Sequence, residues 1–445
     1  MSQYKRYSKY KPSGVDWIGD IPKEWSIERL ASVGIFSSSG IDKKIVEGEP
    51  LVSMVNYTDI YGNEARTLKK DREYMVVSCP ESKRIEHQVK RGDLVFTPSS
   101  ETIEDIGLSA VIDEDLPNTV FSYHVVRFIF QQDVWHEYKK YLCNNSFVLN
   151  QFSRVAKGTT RQILGRFDFS STRVVMPLLD DQKAISGFLD QKSARIDDLI
   201  QKKEQVIKLL KQKRAGVINQ AVTKGLDPKV KMKPSGVDWI GDIPEGWDKK
   251  RIKYISKVNS DELPEYTDQN FEFYYIDIGN VTLENGFSRG EKIIFSEAPS
   301  RAKRIVKKGD TIVSTVRTYL KAIAYIDDCE SDLIASTGFA VIRPEDEIDG
   351  KYLYYSLCSE RVVNTISAIS VGVSYPAINS SDLSGIFLVF PNKYEQKRIA
   401  DFLDNKMNEI DTLIERIQTV IKKLREYRSS LITAAVTGKI DVRES

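Results

Sequence analysis

The sequence predicts an α+β protein in which two related α/β bodies alternate with two long helices. One segment with helical periodicity occurs twice, because Gln182–Asp190 returns as Gln396–Asp404, 214 positions later. A second segment, Lys11–Pro22, returns letter for letter as Lys233–Pro244. Short strand-forming stretches lie between these repeats in both halves. Together these observations predict an internal repeat of one body followed by one helix.

The repeated helical segment carries the period of a coiled coil. In its second copy apolar residues recur at alternating steps of three and four, the spacing of a coiled-coil seam. These residues are Ile410, Leu413, Ile417, Val420, Leu424, Tyr427 and Leu431. The first-copy residues predicted for the seam are Ile196, Leu199, Val206 and Leu210. Because a rod of roughly 40 helical residues, about 60 Å long, is not stable in water with its seam exposed, we expect the two copies to pack on each other.

Two lysines of the first copy interrupt this apolar pattern. Lys203 and Lys213 stand where the second copy has Ile417 and Tyr427. Such lysines are either polar seam positions that set the register or rim residues whose stems pack along the seam. The sequence leaves both interpretations open.

Composition bounds the class of protein. A chain of 445 residues with 41% hydrophobic and 29% charged residues is typical of a folded protein of two or three domains. It has neither an apolar run of membrane-spanning length nor a signal-peptide core, which favours a cytoplasmic protein. Four scattered cysteines, Cys79, Cys143, Cys329 and Cys358, argue against a zinc site. Since the net charge is only +2, nucleic-acid affinity must come from local patches or from a partner.

Each half holds a body in which framework segments match and polar loops differ. The repeated Pro/Gly-rich loop is followed by Trp25 or Trp247, which we expect to anchor it on the body. A basic turn, Val89–Asp93, returns as Val306–Asp310. The predicted strands are Leu51–Met54, Leu94–Phe96, Phe121–Phe130, Phe271–Ile276, Thr311–Ser314 and Phe339–Arg343. A shared framework with different loops predicts two recognition modules for two different targets.

One loop offers a set of hydrogen-bonding groups on a glycine hinge. Lys157–Gln162 carries two hydroxyls, a guanidinium and an amide, which suit a phosphate or the acceptor edge of a purine. Its counterpart Val371–Tyr375 has hydroxyls but no arginine. Either loop is equally compatible with an ordinary exposed turn.

The sequence contains no catalytic motif. Phosphate-binding and dinucleotide-binding glycine loops are absent, as is the Asn/Asp-Pro-Pro-Tyr/Phe segment of amino-methyltransferases. The acidic stretch Pro344–Lys351 has a nuclease-like spacing but is typical of a surface turn, and the three histidines have no nucleophile partner. We therefore expect a non-catalytic chain with no cofactor and no metal of its own.

The ordered set of motifs resembles the DNA-specificity subunit of type I restriction–modification systems. The shared motifs are the Pro-Ser-Gly-Val-Asp-Trp-Ile-Gly loops, the Gly-Asp strand starts, the Gly158-Thr-Thr loop, the Gln-Lys helix starts and the Ala-Val-Thr helix ends. The resemblance covers both halves. It implies two target-recognition domains, each reading half of a split site in double-stranded DNA. They are held apart by two antiparallel helices in a coiled coil, with internal pseudo-two-fold symmetry.

The same resemblance implies partners and site residues. Two methyltransferase subunits dock on the helices and restriction subunits with motor and nuclease activity join them, so adenosylmethionine, ATP and Mg belong to partner subunits. The implied domains are recognition domains at 1–180 and 226–394, with helices at 181–225 and 395–445. The candidate DNA contacts in the first domain are Asn56, Tyr57, Ser99, Ser100, Thr159, Thr160, Arg161 and Gln162. Those in the second domain are Asn280, Arg317, Thr318, Ser374 and Tyr375.

Two other functions fit the same layout. A non-catalytic coiled-coil adapter with two protein-binding heads needs the same body and helix order. A fragment of a fused methyltransferase–nuclease is disfavoured, because the sequence carries no catalytic motif. DNA-stimulated methylation in the presence of a methyltransferase partner distinguishes the specificity subunit from both.

Overall fold

A computed structural model of the chain describes residues 4–284, 286–327 and 332–443. Cys329 lies outside the described residues. The chain folds into two compact units, unit 1 with residues 1–203 and 419–445 and unit 2 with residues 204–418. Within the described part of the chain, no helix is long and apolar enough to cross a membrane.

Unit 1 contains the first α/β body. Its strands are β1 Tyr10–Pro12, β2 Asp20–Pro22, β3 Ser26–Arg29, β4 Gly34–Ser38, β5 Leu51–Val55, β6 Thr67–Leu68, β7 Met75–Ser78, β8 Leu94–Phe96, β9 Ser99–Ser100, β10 Ser109–Ile112, β11 Thr119–Phe121, β12 Val126–Phe130, β13 Gln162–Ile163 and β14 Arg173–Met176. Its helices are α1 Leu30–Val33, α2 Tyr57–Tyr61, α3 Glu81–His87, α4 Lys139–Leu142, α5 Ser146–Val155, α6 Arg166–Ser171, the first part of the long α7 Leu179–Lys224, up to residue 203, and the last part of the long α11 Lys393–Val436, from residue 419. The larger sheet has the order β4-β12-β8-β10-β6, and a second sheet has the order β11-β5-β7.

Unit 2 contains the second body. Its strands are β15 Met232–Pro234, β16 Asp242–Pro244, β17 Asp248–Arg251, β18 Ser256–Val258, β19 Glu272–Ile276, β20 Val281–Thr282, β21 Gly286–Phe287, β22 Lys292–Ile294, β23 Ala302–Val306, β24 Thr311–Ser314, β25 Ile323–Tyr325, β26 Leu333–Ser336, β27 Phe339–Pro344 and β28 Phe387–Phe390. Its helices are α8 Gly350–Cys358, α9 Glu360–Ile369, α10 Ser380–Gly385, the second part of α7, from residue 204, and the first part of α11, up to residue 418. Two four-stranded sheets have the orders β18-β27-β24-β25 and β22-β19-β26-β23.

The segment Phe121–Phe130, predicted as one strand, is two strands in two different sheets. β11 pairs in parallel with β5, whereas β12 pairs with β4 and β8. The chain turns between them, where the Val125 N–H donates to the Ser122 carbonyl at 3.0 Å and Ser122 Oγ accepts from the His124 N–H at 3.2 Å. The β-rich composition predicted extended backbone, but the serine that stabilises the turn is not distinctive in sequence.

The repeated loop is a small hairpin in each unit, β1–β2 in one and β15–β16 in the other. The tryptophan that follows each hairpin is buried, with 1% of Trp25 and 2% of Trp247 exposed. Trp25 Nε1 donates to Asp181 Oδ2 at 2.6 Å, in the first turn of α7. The tryptophans therefore anchor the hairpins on the bodies, as the sequence predicted.

The repeated glutamine at the start of each long helix joins that helix to its body. Gln182 Nε2 donates to the Pro177 carbonyl at 2.9 Å, and its Oε1 accepts from the Trp135 N–H at 2.8 Å. Gln396 makes the equivalent two bonds in unit 2, at 2.8 and 2.7 Å. Because both glutamines are buried, an apolar replacement would leave backbone groups unpaired.

Within each unit the two long helices pack side by side in opposite directions. In unit 1, Asp197 of α7 lies 3.3 Å from Arg428 of α11, and Asp181 in the first turn of α7 lies 3.8 Å from Arg443, which follows the end of α11, so sequence numbers rise along α7 as they fall along α11. The hydrophobic core of unit 1 is continuous from the body into both helices. It includes Trp25, Phe96 and Phe152 of the body, Ile185 and Leu189 of α7, and Leu431 and Ala435 of α11.

The long helices keep the predicted 3.5-residue period. The buried and half-buried seam positions of α7 are Leu189, Ser193, Ile196, Ile200, Lys203, Ile207, Leu210, Arg214, Val217 and Ala221. The matching positions of α11 are Leu403, Met407, Ile410, Ile414, Ile417, Ile421, Leu424, Arg428, Leu431 and Ala435. Both series follow alternating steps of four and three, 214 residues apart.

The predicted seam is wrong at alternate positions. Four predicted seam residues are exposed, and each is followed by an isoleucine that takes the seam position: Leu199, Val206, Leu413 and Val420. Because apolar residues stand next to each other in these helices, two registers of the three-four spacing fit the sequence. The register that places Tyr427 rather than Arg428 in the seam is the wrong one. Lys203 is a half-buried seam residue, whereas Lys213 is exposed beside the seam.

Candidate nucleic-acid interface

In unit 1 a short hairpin presents the polar loop singled out in the sequence. Lys157 and Ile163 exchange two backbone hydrogen bonds, at 3.1 and 2.8 Å, and β13 pairs with β9. Gly158 has φ +131°, and a Cβ there would lie 2.0 Å from the Arg161 carbonyl oxygen. Only glycine fits this turn without rearrangement. The hairpin therefore exposes Thr159, Thr160 and Arg161 in a fixed loop.

Arg161 lies on an aromatic surface from another part of the body. Its guanidinium is 5.5 Å from the centre of the Tyr57 ring, which stacks on Tyr61 at 5.3 Å. Its Nε donates to Ser99 Oγ at 3.1 Å. An arginine has five N–H donors, so this one bond leaves most of the fork to bind another acceptor. Gln162 Nε2 instead donates to the Gly158 carbonyl at 2.7 Å and closes the loop.

Two residues of unit 1 that were predicted to contact DNA are buried beneath the interface. Asn56 is 4% exposed and caps α2, where its Oδ1 accepts from the Tyr57 N–H at 2.8 Å. Ser100 is fully buried, and its Oγ accepts from the Thr102 N–H at 3.3 Å. Their prediction as DNA contacts is wrong, because neither side chain reaches the surface. Asn56 positions Tyr57 by starting the helix that carries it.

Unit 2 has the equivalent hairpin. Val371 and Ala377 exchange backbone hydrogen bonds at 2.8 and 2.9 Å, and Gly372 has φ +115°. Ser374 and Tyr375 are exposed on its tip, Tyr375 by 66%. The Arg317 guanidinium lies 5.0 Å from the centre of the Tyr375 ring. Unit 2 therefore also places an arginine against an aromatic ring, with the ring exposed and the arginine half-buried.

Two predicted contacts of unit 2 are structural. Thr318 is 4% exposed, and its hydroxyl is 2.9 Å from Ser370 Oγ, so its prediction as a DNA contact is wrong. Asn280 is half-buried and its Oδ1 accepts from the Asp277 N–H at 2.9 Å, which caps the 3-10 turn Ile278–Asn280. Both side chains hold loops in place.

Three residues near the Arg161 hairpin were not predicted from the sequence. Burial lowers the pKa of His124, and the positive charges of Lys43 and Arg161 lower it further, so both cations lie in the neighbourhood of this ring. Tyr123 is 48% exposed, and its ring centre is 3.8 Å from that of His124. These residues come from loops far apart in sequence, and no local pattern marks them. They extend the basic and aromatic surface around the hairpin.

This arrangement suits binding rather than bond making. Guanidinium groups supply donors to phosphates and to the O6 and N7 atoms of guanine, and exposed rings supply stacking surfaces. Among the described residues, no three His, Cys, Asp or Glu side chains cluster as metal ligands would. Each unit thus carries one polar, aromatic and basic face.

Comparison with known families identifies the class. The sequence profile of the family described as "Type I restriction modification DNA specificity domain" matches residues 62–209 and 244–423. The two matches cover most of the chain, and the chain belongs to this family. The predicted α+β class with two related domains and two long helices is confirmed.

Several curated relatives carry related descriptions. The type I restriction enzyme MjaVIII specificity subunit of Methanocaldococcus jannaschii is 25% identical over 302 residues, 64% of this chain and 66% of the relative. The MjaIX specificity subunit of the same organism is 30% identical over 40% of this chain and 43% of the relative. The putative MjaX specificity subunit is 23% identical over 96% of both chains. This chain thus spans less than two thirds of the first two relatives and nearly all of the third.

Two solved structures share the fold. One is described as "Structural basis underlying complex assembly and conformational transition of the type I R-M system", with a TM-score of 0.67 and 16% identity over 94% of this chain and 99% of that chain. The HsdS subunit from Thermoanaerobacter tengcongensis has a TM-score of 0.50 and 17% identity over 94% and 98%. At these identities the likeness establishes the fold alone.

Proposed function

We propose that the chain is the specificity subunit of a type I restriction–modification complex and that each unit reads one half of a bipartite site in double-stranded DNA. The observation that carries this proposal is the arginine–aromatic pair at the glycine hairpin of both units, in which the hairpin residue is exposed and its partner is half-buried. The pairs differ in composition, which supports two different half-sites. Arginine is the side chain best suited to guanine edges and phosphates.

Selection of the full chain on a pool of randomised duplexes tests the proposal. We expect enrichment of two short motifs separated by a fixed number of unspecified base pairs. A chimera in which residues 26–180 come from a relative should change one motif and leave the other intact, because each body carries its own face. Enrichment of one continuous motif, or changes in both motifs, would contradict modular reading. No enrichment of any duplex would favour the alternative of a protein-binding adapter.

We propose that two methyltransferase subunits dock on the long helices and that restriction subunits join this assembly. The exposed apolar residues Leu199, Val206, Leu413 and Val420 support a docking surface, because helical apolar residues outside the seam gain by burial against a partner. In co-expression with the cognate methyltransferase, Leu199→Asp with Leu413→Asp should reduce co-purification. The matched control is Lys202→Asp with Arg416→Asp, at exposed polar positions of the same helices.

We propose that the partner subunits carry out the chemistry of the assembly and bind adenosylmethionine, ATP and Mg. We also propose that the complex acts in the cytoplasm. The chain supplies hydrogen-bond donors and stacking surfaces only. The purified chain with adenosylmethionine should therefore leave duplex DNA unmethylated, and adding the methyltransferase should produce methylation at the selected site. Adenine methylation by the chain alone would overturn this division of roles.

We also propose that the helices determine the gap between the half-sites. Inserting one heptad in each helix, after Lys211 and after Arg425, preserves the seam period and adds roughly 10 Å. This length equals about three base pairs, with a rotation of roughly 100° that DNA or protein twist must absorb. The expected result is the same two half-sites with a longer gap and weaker binding. An unchanged gap would make the helices a docking surface only.

A further inference from the structure

The seam of the long helices contains one arginine in each unit, at equivalent positions. Arg214 of α7 and Arg428 of α11 are 214 residues apart, and their side chains are only 17% and 24% exposed. Arg428 Nη1 lies 3.3 Å from Asp197 Oδ1 on α7, and Arg214 Nη2 lies 3.8 Å from Asp411 Oδ2 on α11. Each arginine therefore pairs with an aspartate of the other long helix.

The same arginines also contact the body of their own unit. Arg428 Nη2 donates to the Glu64 carbonyl at 3.4 Å, and Arg214 Nη1 donates to the Glu284 carbonyl at 3.3 Å. Glu64 lies in the connection between α2 and β6, and Glu284 lies in the turn between β20 and β21. In unit 2 the neighbouring Lys211 adds an ion pair with the Glu284 carboxylate, at 2.8 and 2.9 Å. Each guanidinium thus joins three elements: its own helix, the opposite helix and a loop of the body.

Packing of the seam does not explain these residues. An apolar residue at such a position stabilises a coiled coil more than a half-buried cation does, since the cation must lose part of its hydration. The Nε atoms of both arginines are buried without a hydrogen-bond partner among the described residues, which adds to the cost. In unit 2, Arg214 lines a cleft of about 730 Å³ between the long helices and the body. At this cleft the helices and the body are therefore joined by polar contacts and not by a packed apolar core.

In unit 1 the contacted loop leads directly to the interface. The Glu64 connection follows α2, which carries Tyr57, the ring beneath Arg161. Arg66, two residues after Glu64, donates from Nη1 to the Ile60 carbonyl at 3.2 Å and ties the loop back to α2. A change in the position of this loop therefore moves the surface that holds Arg161.

We infer that Arg214 and Arg428 are positioning residues that hold each recognition body at a fixed orientation on the helix pair, and so make the complex selective for one gap between half-sites. The inference rests on the proposed function. Base preference comes from the hairpin side chains inside each body, whereas gap preference depends on how each body is held. One added base pair shifts a half-site by about 3.4 Å and rotates it by about 35°. A body that is fixed to the helices both at the helix-start glutamine and at the seam arginine resists this change better than a body that is fixed at one of these places.

The test uses full-length variants Arg214→Met, Arg428→Met and their combination, with Arg416→Met as an exposed arginine control on α11. The two half-sites enriched by the unaltered chain are placed in duplexes with gaps up to about three base pairs shorter or longer than its own. We expect the unaltered chain and the control to prefer one gap by about tenfold or more and the double variant by less than about threefold. Base preferences within each half-site should not change. Arg214→Lys and Arg428→Lys should also lose gap preference, because one ammonium cannot replace a fork that bonds two groups.

Amide hydrogen exchange gives a second readout that does not depend on DNA. Exchange around Glu64 should accelerate in Arg428→Met and around Glu284 in Arg214→Met, while the cores around Trp25 and Trp247 remain protected. Unchanged exchange in both loops would overturn the inference, whatever the DNA result. So would retention of the full gap preference, or loss of base preference to the same extent. If the unaltered chain enriched no split site, the proposed function would fail, and the exchange data would still decide whether the arginines hold the bodies.

Discussion

The two units repeat each other where body meets helix and differ where the body is exposed. Tyr141 donates to Asp190 at 2.5 Å in unit 1, and Tyr355 donates to Asp404 at 2.7 Å at the equivalent place in unit 2. The buried glutamine at each helix start repeats in the same way. The tyrosines and glutamines of these contacts are buried, and an unpaired polar group there would cost stability, so equivalent hydrogen bonds occur in both units.

The exposed hairpins reach the same type of surface by exchanging roles. Arg161 and Tyr375 occupy the same position in their hairpins, 214 residues apart. In unit 1 the hairpin supplies the arginine and α2 supplies the ring, whereas in unit 2 the hairpin supplies the ring and the segment after β24 supplies Arg317. A repeated framework thus permits side-chain exchange at the interface, which is how a duplicated body can acquire a second specificity.

The largest expected effect compares the two anchoring tryptophans. Trp25→Ala and Trp247→Ala should each cost about 3–5 kcal/mol, because both rings are buried. Trp25→Ala should cost about 1–3 kcal/mol more, since it also leaves the buried Asp181 carboxylate without its indole donor. Among the described residues no carboxylate accepts from Trp247. Denaturant unfolding of the two variants measures the difference, and equal costs would remove this distinction between the units.

The next effect tests the seam register of the long helices. Ile421→Ala should cost about 2–5 kcal/mol of unfolding free energy, whereas Val420→Ala should stay within about 0.5 kcal/mol. In the first copy Ile207→Ala should cost less than Ile421→Ala, because Ile207 is only half-buried. Thermal unfolding of the four alanine variants at 206, 207, 420 and 421 checks the order. A larger cost for Val420 than for Ile421 would restore the register predicted from sequence.

A smaller effect compares the exchanged arginines. Arg161→Ala and Arg317→Ala should each lower base discrimination by about 1–3 kcal/mol, each at a single position of a different half-site. Tyr375→Ala should weaken discrimination in the same half-site as Arg317→Ala by about 0.5–1 kcal/mol, since it removes the ring beneath the guanidinium. Competition binding with single-base variants of the selected duplex measures these losses. A loss that is uniform over all sequences would assign the arginine to phosphate contact.

Local sequence patterns correctly predicted those features of the fold that depend on residues close together in the chain. The helices, their seam period, the anchoring tryptophans and the hairpin glycines follow from spacing and backbone chemistry. The predicted seam register is wrong because Val420 and Ile421 are both apolar, and because the seam accommodates Arg428 through Asp197 on the other helix and the Glu64 carbonyl of the body. The burial of Ser100 and the effect of Lys43 and Arg161 on His124 depend on contacts between distant segments, which one sequence does not reveal.

The smallest expected effect concerns the acid titration of two aspartates, Asp93 of the Gly-Asp segment in unit 1 and Asp261 beside the Gly-Asp segment in unit 2, whose pKa values shift in opposite directions. In unit 2 Arg343 binds both Asp310 and Asp261, and hydrogen bonds from Lys307 and Arg343 lower the pKa of Asp261 to about 2. In unit 1 burial raises the pKa of Asp93, whose neighbour Arg127 donates instead to the Gln88 carbonyl and to Ser37.

The linkage follows from these directions. Asp261 stabilises the folded state above its unfolded pKa near about 3.9, and this contribution is lost as the pH falls toward about 2. It should amount to less than about 1 kcal/mol, because the carboxylate is partly exposed. Asp93 acts oppositely, since its contribution is present below its unfolded pKa and is lost as the pH rises through the raised value. Asp261→Asn should therefore flatten the loss of unfolding midpoint between about pH 4 and 2, whereas Asp93→Asn should raise the midpoint at neutral pH relative to the unaltered chain. Equal slopes in the two variants would contradict the opposite pKa shifts of Asp261 and Asp93.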